Sequence, residues 1–211
     1  MLHGVEKNFT EDINERGIAK IKRFHVSEED ARSFNLRRLM NYGSSIEMIE
    51  AGDYVKLYVN DELMMSDTSM EKITNTDFIT FAHGEVMIAG LGIGLILENL
   101  IPLYESGKIT KVVVYEKYQD VIDLVAHRYT DKLPLEVRCQ DIMTYKPPKE
   151  EKYDTLYFDI WPEIDDKNLD DVRVLHNRWK THKKEGSWMG SWMADFLRRR
   201  RASERRRSSW W

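Results

Sequence analysis

Three glycines and three carboxylates are the residues of this 211-residue chain whose types and spacing could do chemistry. The glycines alternate with apolar residues inside the stretch VMIAGLGIGLIL, at Gly90, Gly92 and Gly94. Glycine accepts positive φ and lets the backbone approach a ligand closely, and a helix that follows presents unpaired N–H groups. The stretch is therefore compatible with a packing turn or with a ligand-binding loop.

The three carboxylates follow later apolar segments. Glu116 ends KVVVYE, 22 residues after Gly94, while Asp141 follows LEVRCQ and Asp159 follows YDTLYF. A carboxylate at about that distance from a glycine loop can accept hydrogen bonds from both hydroxyls of a ribose. A glycine cluster alone is a weak signal, but a glycine loop followed by acids at three segment ends favours a ligand site.

The segments that carry these residues alternate between strands and helices. Buried strands are predicted at EVMIAG, KVVVYE, LEVRCQD and YDTLYFDIW, and helices at LILENLIPLYESG and YQDVIDLVAHRYT. Such alternation is typical of right-handed βαβ units, so we predict an α/β fold with a doubly wound Rossmann-like sheet. Ligands of open parallel sheets bind beyond the carboxyl ends of the strands, where the glycine loop and the acids would meet.

The first 80 residues predict a smaller β-rich extension. A strand is predicted at GIAKIKRFHV, and a weakened capping box of Ser27 and Asp30 begins a helix over about 28–41 that Gly43 ends. Turn-forming pairs separate SIEMIEA, DYVKLYV and ELMMS, which predicts an antiparallel meander.

We divide the chain into an extension (1–80), a Rossmann-like domain (81–195) and an Arg-rich tail (196–211). Residues 166–205 are predicted to be helical, with Trp188 and Trp192 on one helical face, packed in a core or lid rather than stacked on bases.

The tail is strongly basic on an otherwise acidic chain. Residues 195–207 contain seven arginines against two acids, whereas the whole chain has a net charge of -4. Such a tail can hold nucleic-acid phosphates without reading sequence. Alternatively, it is a solvated helix end whose arginines favour the negative end of the helix dipole.

Composition limits the other classes of function. Cys139 is the only cysteine, which excludes an internal disulfide, and the six histidines show no ligand spacing, so we predict no metal site. No stretch approaches the ~20 apolar residues of a membrane span, and the N-terminus is too acidic for a signal peptide. We expect a cytoplasmic protein that does not contact membranes.

The glycine spacing also distinguishes between cofactors. A dinucleotide fingerprint, G-x-G-x-x-G, would need a glycine where Leu95 stands, and the lysine of a P-loop is absent. The observed G-x-G-x-G suits a ligand without a pyrophosphate, whose sulfonium and amino-acid tail pass the loop.

On these motifs, the chain resembles the class I S-adenosylmethionine-dependent methyltransferases, and specifically their spermidine-synthase-like branch. The matching motifs are VMIAGLGIG, VVVYEKYQDVI, CQDI and YDTLYFDIW, and LYVNDELMMSDTSME resembles the hairpin that precedes the glycine motif in spermidine synthases. The resemblance covers about residues 54–162 and implies the class I methyltransferase type of Rossmann-like fold.

The resemblance implies a role for each site residue. The three glycines would bear the methionine part of S-adenosylmethionine, Glu116 the ribose, and Asp141 with Ile142 the adenine side. Asp159 would lie beside the transferring carbon, where it would orient or deprotonate the acceptor.

Two departures from spermidine synthases concern the substrate. Those enzymes carry an acid in the glycine loop, where this chain has Ile93, and a second acid where it has Pro162. Both losses remove charge that would hold a polyamine, although Glu163, Asp165 and Asp166 could compensate. The D/N-P-P-Y/F/W loop of nucleic-acid amino-methyltransferases is also absent; DIWP keeps an acid and an aromatic residue in another order.

We therefore expect a methyltransferase that positions S-adenosylmethionine against a nucleophile of a small-molecule acceptor. Candidate substrate residues are Trp161, which would stack on a planar acceptor or cover the pocket, and Glu163. Aminopropyl transfer from decarboxylated S-adenosylmethionine is one alternative. Another is a non-catalytic protein that binds nucleic acid through Arg198–Arg207. The hairpin is also a candidate homodimer contact.

Overall fold

A four-stranded antiparallel sheet occupies the N-terminal part of the chain. The computed structural model describes residues 2–42 and 48–208. The strands lie in the order β1-β2-β3-β4 and are β1 (Ile13–Arg16), β2 (Ala19–Val26), β3 (Gly52–Val59) and β4 (Glu62–Ser66). The predicted strands at GIAKIKRFHV, DYVKLYV and ELMMS are confirmed, whereas β1 was not predicted.

The first helix and the hairpin of the N-terminal part begin and turn at residues that the sequence indicates. Helix α1 (Glu28–Tyr42) begins with the predicted capping box, since the Ser27 hydroxyl accepts the Asp30 N–H at 3.1 Å. The hairpin turn at Asn60 and Asp61 has φ values of 52° and 62°, as a type I′ turn requires. The predicted strand SIEMIEA is wrong over residues 48–51, which are not in a strand; its residues 45–47 and the predicted helix end at Gly43 lie outside the described residues.

The second sheet has five strands, and all of its pairings are parallel. Its order is β7-β6-β5-β8-β9, with strands β5 (Gly84–Ala89), β6 (Ile109–Glu116), β7 (Leu135–Cys139), β8 (Tyr153–Phe158) and β9 (Lys183–Ser191). The α-helices of this part are α2 (Ser69–Thr74), α3 (Thr76–Phe81), α4 (Leu95–Glu105), α5 (Gln119–Val125) and α6 (Asn168–Trp179), and α7 (Ala194–Ser208) follows the last strand. The predicted α/β fold with a doubly wound Rossmann-like sheet is confirmed, and its topological switch point lies between β5 and β8.

The prediction of one helical segment over 166–205 is wrong. Strand β9 separates α6 from α7 and pairs with β8, so that Trp188 lies opposite Thr155. Trp188 stacks on Phe81, and Trp192, just beyond the strand, is 3% exposed. The two tryptophans pack in the core as predicted, but from a strand and its end rather than from one helical face.

One hydrophobic cluster joins the two sheets. It includes Ile21 and Leu57 of the antiparallel sheet together with Val86 and Val112 of the parallel sheet. A second cluster covers the other face of the parallel sheet, as expected for strands buried on both faces. In the part of the chain that the structure describes, no helix is long and apolar enough to cross a membrane.

Candidate functional site

A cavity of about 360 Å³ lies at the carboxyl edge of the parallel sheet. Residues at or just after the ends of β5, β6, β7 and β8 line it, as expected at a switch point. Of the predicted cofactor and substrate residues, the cavity lining contains Gly90, Gly92, Glu116, Asp141, Ile142, Asp159 and Trp161. The sequence-based choice of strand ends therefore converges on one cavity.

Gly90 lies where the glycine loop meets the end of β8. Its φ is +97°, and a Cβ there would lie 2.0 Å from the Asp159 carbonyl oxygen, so a side chain would collide with backbone. Gly94 has a different position, because it precedes α4 against the Tyr129 ring and does not line the cavity. The packing turn and the cavity loop are thus successive parts of the same stretch.

Ile93 does not face the cavity. Its side chain is 0% exposed and belongs to the core cluster that joins the two sheets. The expectation that residue 93 faces the ligand, as the acid of spermidine synthases does, is wrong. Its burial means that the identity of residue 93 does not set the charge of the cavity.

The Glu116 carboxylate connects the end of β6 to the glycine loop. One oxygen accepts the Leu91 N–H at 2.9 Å and the other accepts the Tyr118 N–H at 2.9 Å. The residue is 7% exposed, and burial raises the pKa of Glu116 although these N–H groups act in the opposite direction. Both oxygens are held in place, and each keeps a lone pair for a further donor.

The loop after β7 is held from two sides. Asp141 accepts the Met143 N–H at 2.9 Å and lies 3.6 Å from the Lys117 ammonium. From α6, the Arg178 guanidinium donates to the carbonyl oxygens of Ile142 at 2.9 Å and Met143 at 2.7 Å. Sequence analysis missed Arg178, since nothing in its spacing links it to a loop 35 residues away.

Two carboxyls in the cavity have no such partners. Among the described residues, no hydrogen bond or ion pair involves the side chains of Asp159 and Glu71, both of which line the cavity. Burial raises the pKa of Asp159 to about 7, and burial together with the nearby Asp159 charge raises the pKa of Glu71 to about 8. We call these two residues the acid pair; near neutral pH it resists double ionisation and can hold a proton.

Glu71 was not predicted as a site residue. It lies in α2, within the stretch LYVNDELMMSDTSME, and its proximity to Asp159 arises only from packing. Two hydrogen bonds fix this region: the Tyr157 hydroxyl donates to Asn75 Oδ1 at 2.9 Å, and Asn75 Nδ2 donates to the Glu71 carbonyl at 3.0 Å. The N-terminal sheet completes the cavity with an apolar wall of Leu57, Val59, Met64 and Met65.

The two predicted substrate residues have different positions. Trp161 lines the cavity, and its indole N–H donates to Asp171 of α6 at 3.1 Å. Glu163 and Asp165 are exposed, Asp166 is half-buried, and none of the three lines the cavity. The predicted compensation by these three acids is therefore not seen, and Glu71 supplies the additional cavity acid instead.

Charge limits what the cavity can hold. Its described lining contains five carboxyl side chains and one lysine, namely Glu71, Glu116, Asp141, Asp159, Asp171 and Lys117. This composition disfavours a phosphate-rich ligand and favours a cationic one. Over the described ranges, no group of three or more His, Cys, Asp or Glu residues is arranged to hold a metal ion.

Comparisons with known proteins find a likeness in structure only. No protein-family model matches the sequence, and no curated protein matches it. The chain is similar to a solved S-adenosylmethionine-dependent methyltransferase from Clostridium acetobutylicum (20% identity, TM-score 0.40, 56% of this chain and 46% of that one). It is also similar to the N-methyltransferase NodS from Bradyrhizobium japonicum in complex with S-adenosyl-L-homocysteine (13% identity, TM-score 0.43, 57% of this chain and 58% of that one).

A third similar structure is coclaurine N-methyltransferase bound to N-methylheliamine and S-adenosyl-L-homocysteine (14% identity, TM-score 0.43, 58% of this chain and 34% of that one). The chain spans less than two thirds of the length of each of these structures. At such identities and TM-scores, the matches do not decide what this chain binds.

Proposed function

We propose that this protein binds S-adenosylmethionine in the cavity and transfers its methyl group to an acceptor nucleophile. The observation that carries this proposal is the meeting of Gly90, Glu116, Asp141 and Asp159, from four different strand ends, in one cavity. The cavity volume of about 360 Å³ falls in the range of small-molecule sites. When bound, the cofactor supplies an activated methyl group on a sulfonium.

The chemistry of the lining fits this cofactor. Glu116 would accept from the two ribose hydroxyls, Asp141 would accept from the adenine amino group, and Ile142 would supply apolar contact on the adenine side. Gly90 and Gly92 leave room for the methionine part. The excess of carboxyls suits a cofactor that carries a sulfonium and an ammonium, and it disfavours nicotinamide dinucleotides with their pyrophosphate.

The acid pair would remove a proton from the acceptor. An amine or hydroxyl that attacks the methyl group must lose a proton, and a base with a pKa near the working pH is best suited to take it. Burial raises the pKa of Asp159 to about 7 and that of Glu71 to about 8, so near neutral pH the ionised carboxylate of the pair can take the proton that the acceptor loses. Asp159 is the catalytic residue of this proposal, and Glu71 holds the acceptor with it.

Aminopropyl transfer, as in the spermidine-synthase-like branch, is a second candidate. One specific observation favours it: Glu71 supplies a cavity acid that the sequence did not assign, while Ile93 does not face the cavity. The two candidates require different forms of the cofactor, because only aminopropyl transfer uses the decarboxylated form.

Calorimetry separates these candidates. The purified full chain would be titrated with S-adenosylmethionine, its decarboxylated form and S-adenosylhomocysteine, in parallel with Glu116→Gln and the matched surface control Glu163→Gln. We expect S-adenosylmethionine to bind, Glu116→Gln to weaken it at least tenfold, and Glu163→Gln to leave it unchanged. Tighter binding of the decarboxylated form supports aminopropyl transfer, and binding of none of the three refutes both candidates.

A further inference from the structure

A second concave surface, which we call the arginine groove, lies between α6 and α7. It has a volume of about 660 Å³ and is lined by Leu169, Arg173, His176 and Asn177 of α6 and by Arg198, Arg201, Ala202 and Arg205 of α7. In each helix the lining residues recur at intervals of about one helical turn, over 169–177 in α6 and 198–205 in α7, so each set forms one helical face. Four guanidinium groups therefore line a groove whose described lining contains no acid.

The groove belongs to the packed fold and is not formed by a free tail. Helix α7 starts before the predicted tail, at Ala194, and its Leu197 side chain is 0% exposed. Farther along, the Arg200 guanidinium pairs with Asp166 at 2.7 Å. These contacts fix the orientation of α7, so the groove arginines are presented together despite their mutual repulsion.

Two of the groove arginines pair with acids that do not line the groove. Arg173 lies 3.8 Å from Asp170 and Arg198 lies 2.7 Å from Asp195, and all four side chains are half or more exposed. Exposed ion pairs of this kind contribute little and exchange readily for another anion. Burial and the Arg198 charge lower the pKa of His176 to about 4, so this groove residue stays neutral at physiological pH. The charge of the groove therefore does not depend on pH near neutrality.

We infer that the arginine groove binds the phosphate backbone of a nucleic acid. Guanidinium groups match phosphate oxygens in a bidentate geometry. From residue 198 to residue 205 the helix rises about 10 Å, which is about three nucleotides at a rise of 3.4 Å per strand. After Leu197, α7 is polar apart from Ala202, so it lacks the apolar face that a membrane-surface helix inserts.

This binding surface is distinct from the cofactor cavity. Asp171 of α6 lines the cavity, whereas Arg173, two residues later, lines the groove. Binding of a nucleic acid in the groove therefore requires neither the cofactor nor methyl transfer, and it can be tested separately.

The test compares two double variants of the full chain that remove the same charge from α7. Arg198→Gln/Arg201→Gln removes groove arginines, whereas Arg199→Gln/Arg207→Gln removes exposed arginines that do not line the groove. Binding of a fluorescein-labelled 20-nucleotide single-stranded RNA would be followed by anisotropy across a salt series. We expect the groove variant to bind at least tenfold more weakly, with the slope of log affinity against log salt reduced by about 1.4.

The control variant should change the affinity by less than threefold. Equal losses in both variants would overturn the inference, because the arginines would then act as a diffuse charge. Failure of the wild type to bind RNA, or its preference for vesicles of phosphatidylcholine and phosphatidylserine (3:1), would overturn it as well. Circular dichroism and binding of S-adenosylmethionine, unchanged in both variants, would show that the fold and the cavity are intact.

Discussion

Two pairs of cavity carboxyls differ in their hydrogen-bond partners; after their proposed roles we call Glu116 and Asp141 the cofactor half and Glu71 and Asp159 the acceptor half. Glu116 and Asp141 accept backbone N–H groups, while Glu71 and Asp159 have no side-chain partner among the described residues. The first two are held in position as hydrogen-bond acceptors, and the second two are poised to exchange a proton. The difference indicates that acids lining one cavity are suited to different roles according to their hydrogen-bond donors.

The largest effect is expected where the two halves meet, at Gly90. The variant Gly90→Ala places a Cβ 2.0 Å from the Asp159 carbonyl oxygen at a φ of +97°. We expect the free energy of unfolding to fall by about 3 kcal/mol or more, and cofactor binding to be lost. Urea unfolding and calorimetry measure the two effects.

Gly107→Ala is the matched control for Gly90→Ala. Gly107 also has a positive φ, of +73°, but no atom lies within 4 Å of an added Cβ. It should cost about 1 kcal/mol through backbone strain alone. If both variants lose the same stability, the collision with Asp159 has no role.

A smaller loss is expected on the cofactor half. Glu116→Gln replaces two acceptor oxygens by one, so either the Leu91 or the Tyr118 N–H loses its partner. The free energy of unfolding should fall by about 1–3 kcal/mol. Asp141→Asn, at a more exposed residue with one such bond, should cost less. Urea unfolding at pH 7 checks this order, and the reverse order would contradict our account of the cofactor half.

Substitutions in the acid pair should raise the free energy of unfolding at high pH, whereas those in the cofactor half lower it. Its folded pKa values, about 7 for Asp159 and about 8 for Glu71, lie above the ordinary values of 3.8 and 4.5. The folded state therefore keeps protons that the unfolded state releases, so the free energy of unfolding falls as pH rises from about 4 to 8.

Asp159→Asn and Glu71→Gln remove this dependence in part. Both variants should show a flatter pH profile than the wild type and should be more stable than it at pH 8, while Glu163→Gln should follow the wild-type curve. The measurement is urea unfolding at a series of pH values. A profile of Asp159→Asn parallel to that of the wild type would disprove the raised pKa.

Much of the fold could be predicted because local and tertiary signals agree. The runs around Val86, Val113 and Leu156 are apolar on both faces, as strands in the middle of a parallel sheet must be. Strand β9 was missed because KKEGSWMGS is polar and contains two glycines, and only pairing with β8 makes it a strand. The two tryptophans, Trp188 and Trp192, are four residues apart, which is also the spacing of residues on one helical face, so the sequence predicted a helix here.

The candidate site was predictable to the extent that it follows from strand ends. Glu116, Asp141 and Asp159 could be assigned because each ends or follows an apolar run. Glu71 could not, since its raised pKa arises from burial and from the charge of Asp159, which lies 88 residues away along the chain. Glu163 does not line the cavity, because proximity in sequence to Asp159 does not turn its side chain toward it.

Helix α6 contacts both binding surfaces. It holds Trp161 through Asp171, holds the loop after β7 through Arg178, and contributes one face of the arginine groove. A displacement of this helix would change the cavity walls and the groove together. Thermodynamic linkage then makes the coupling reciprocal: whatever factor a groove ligand imposes on cofactor affinity, the cofactor imposes on the affinity of the groove.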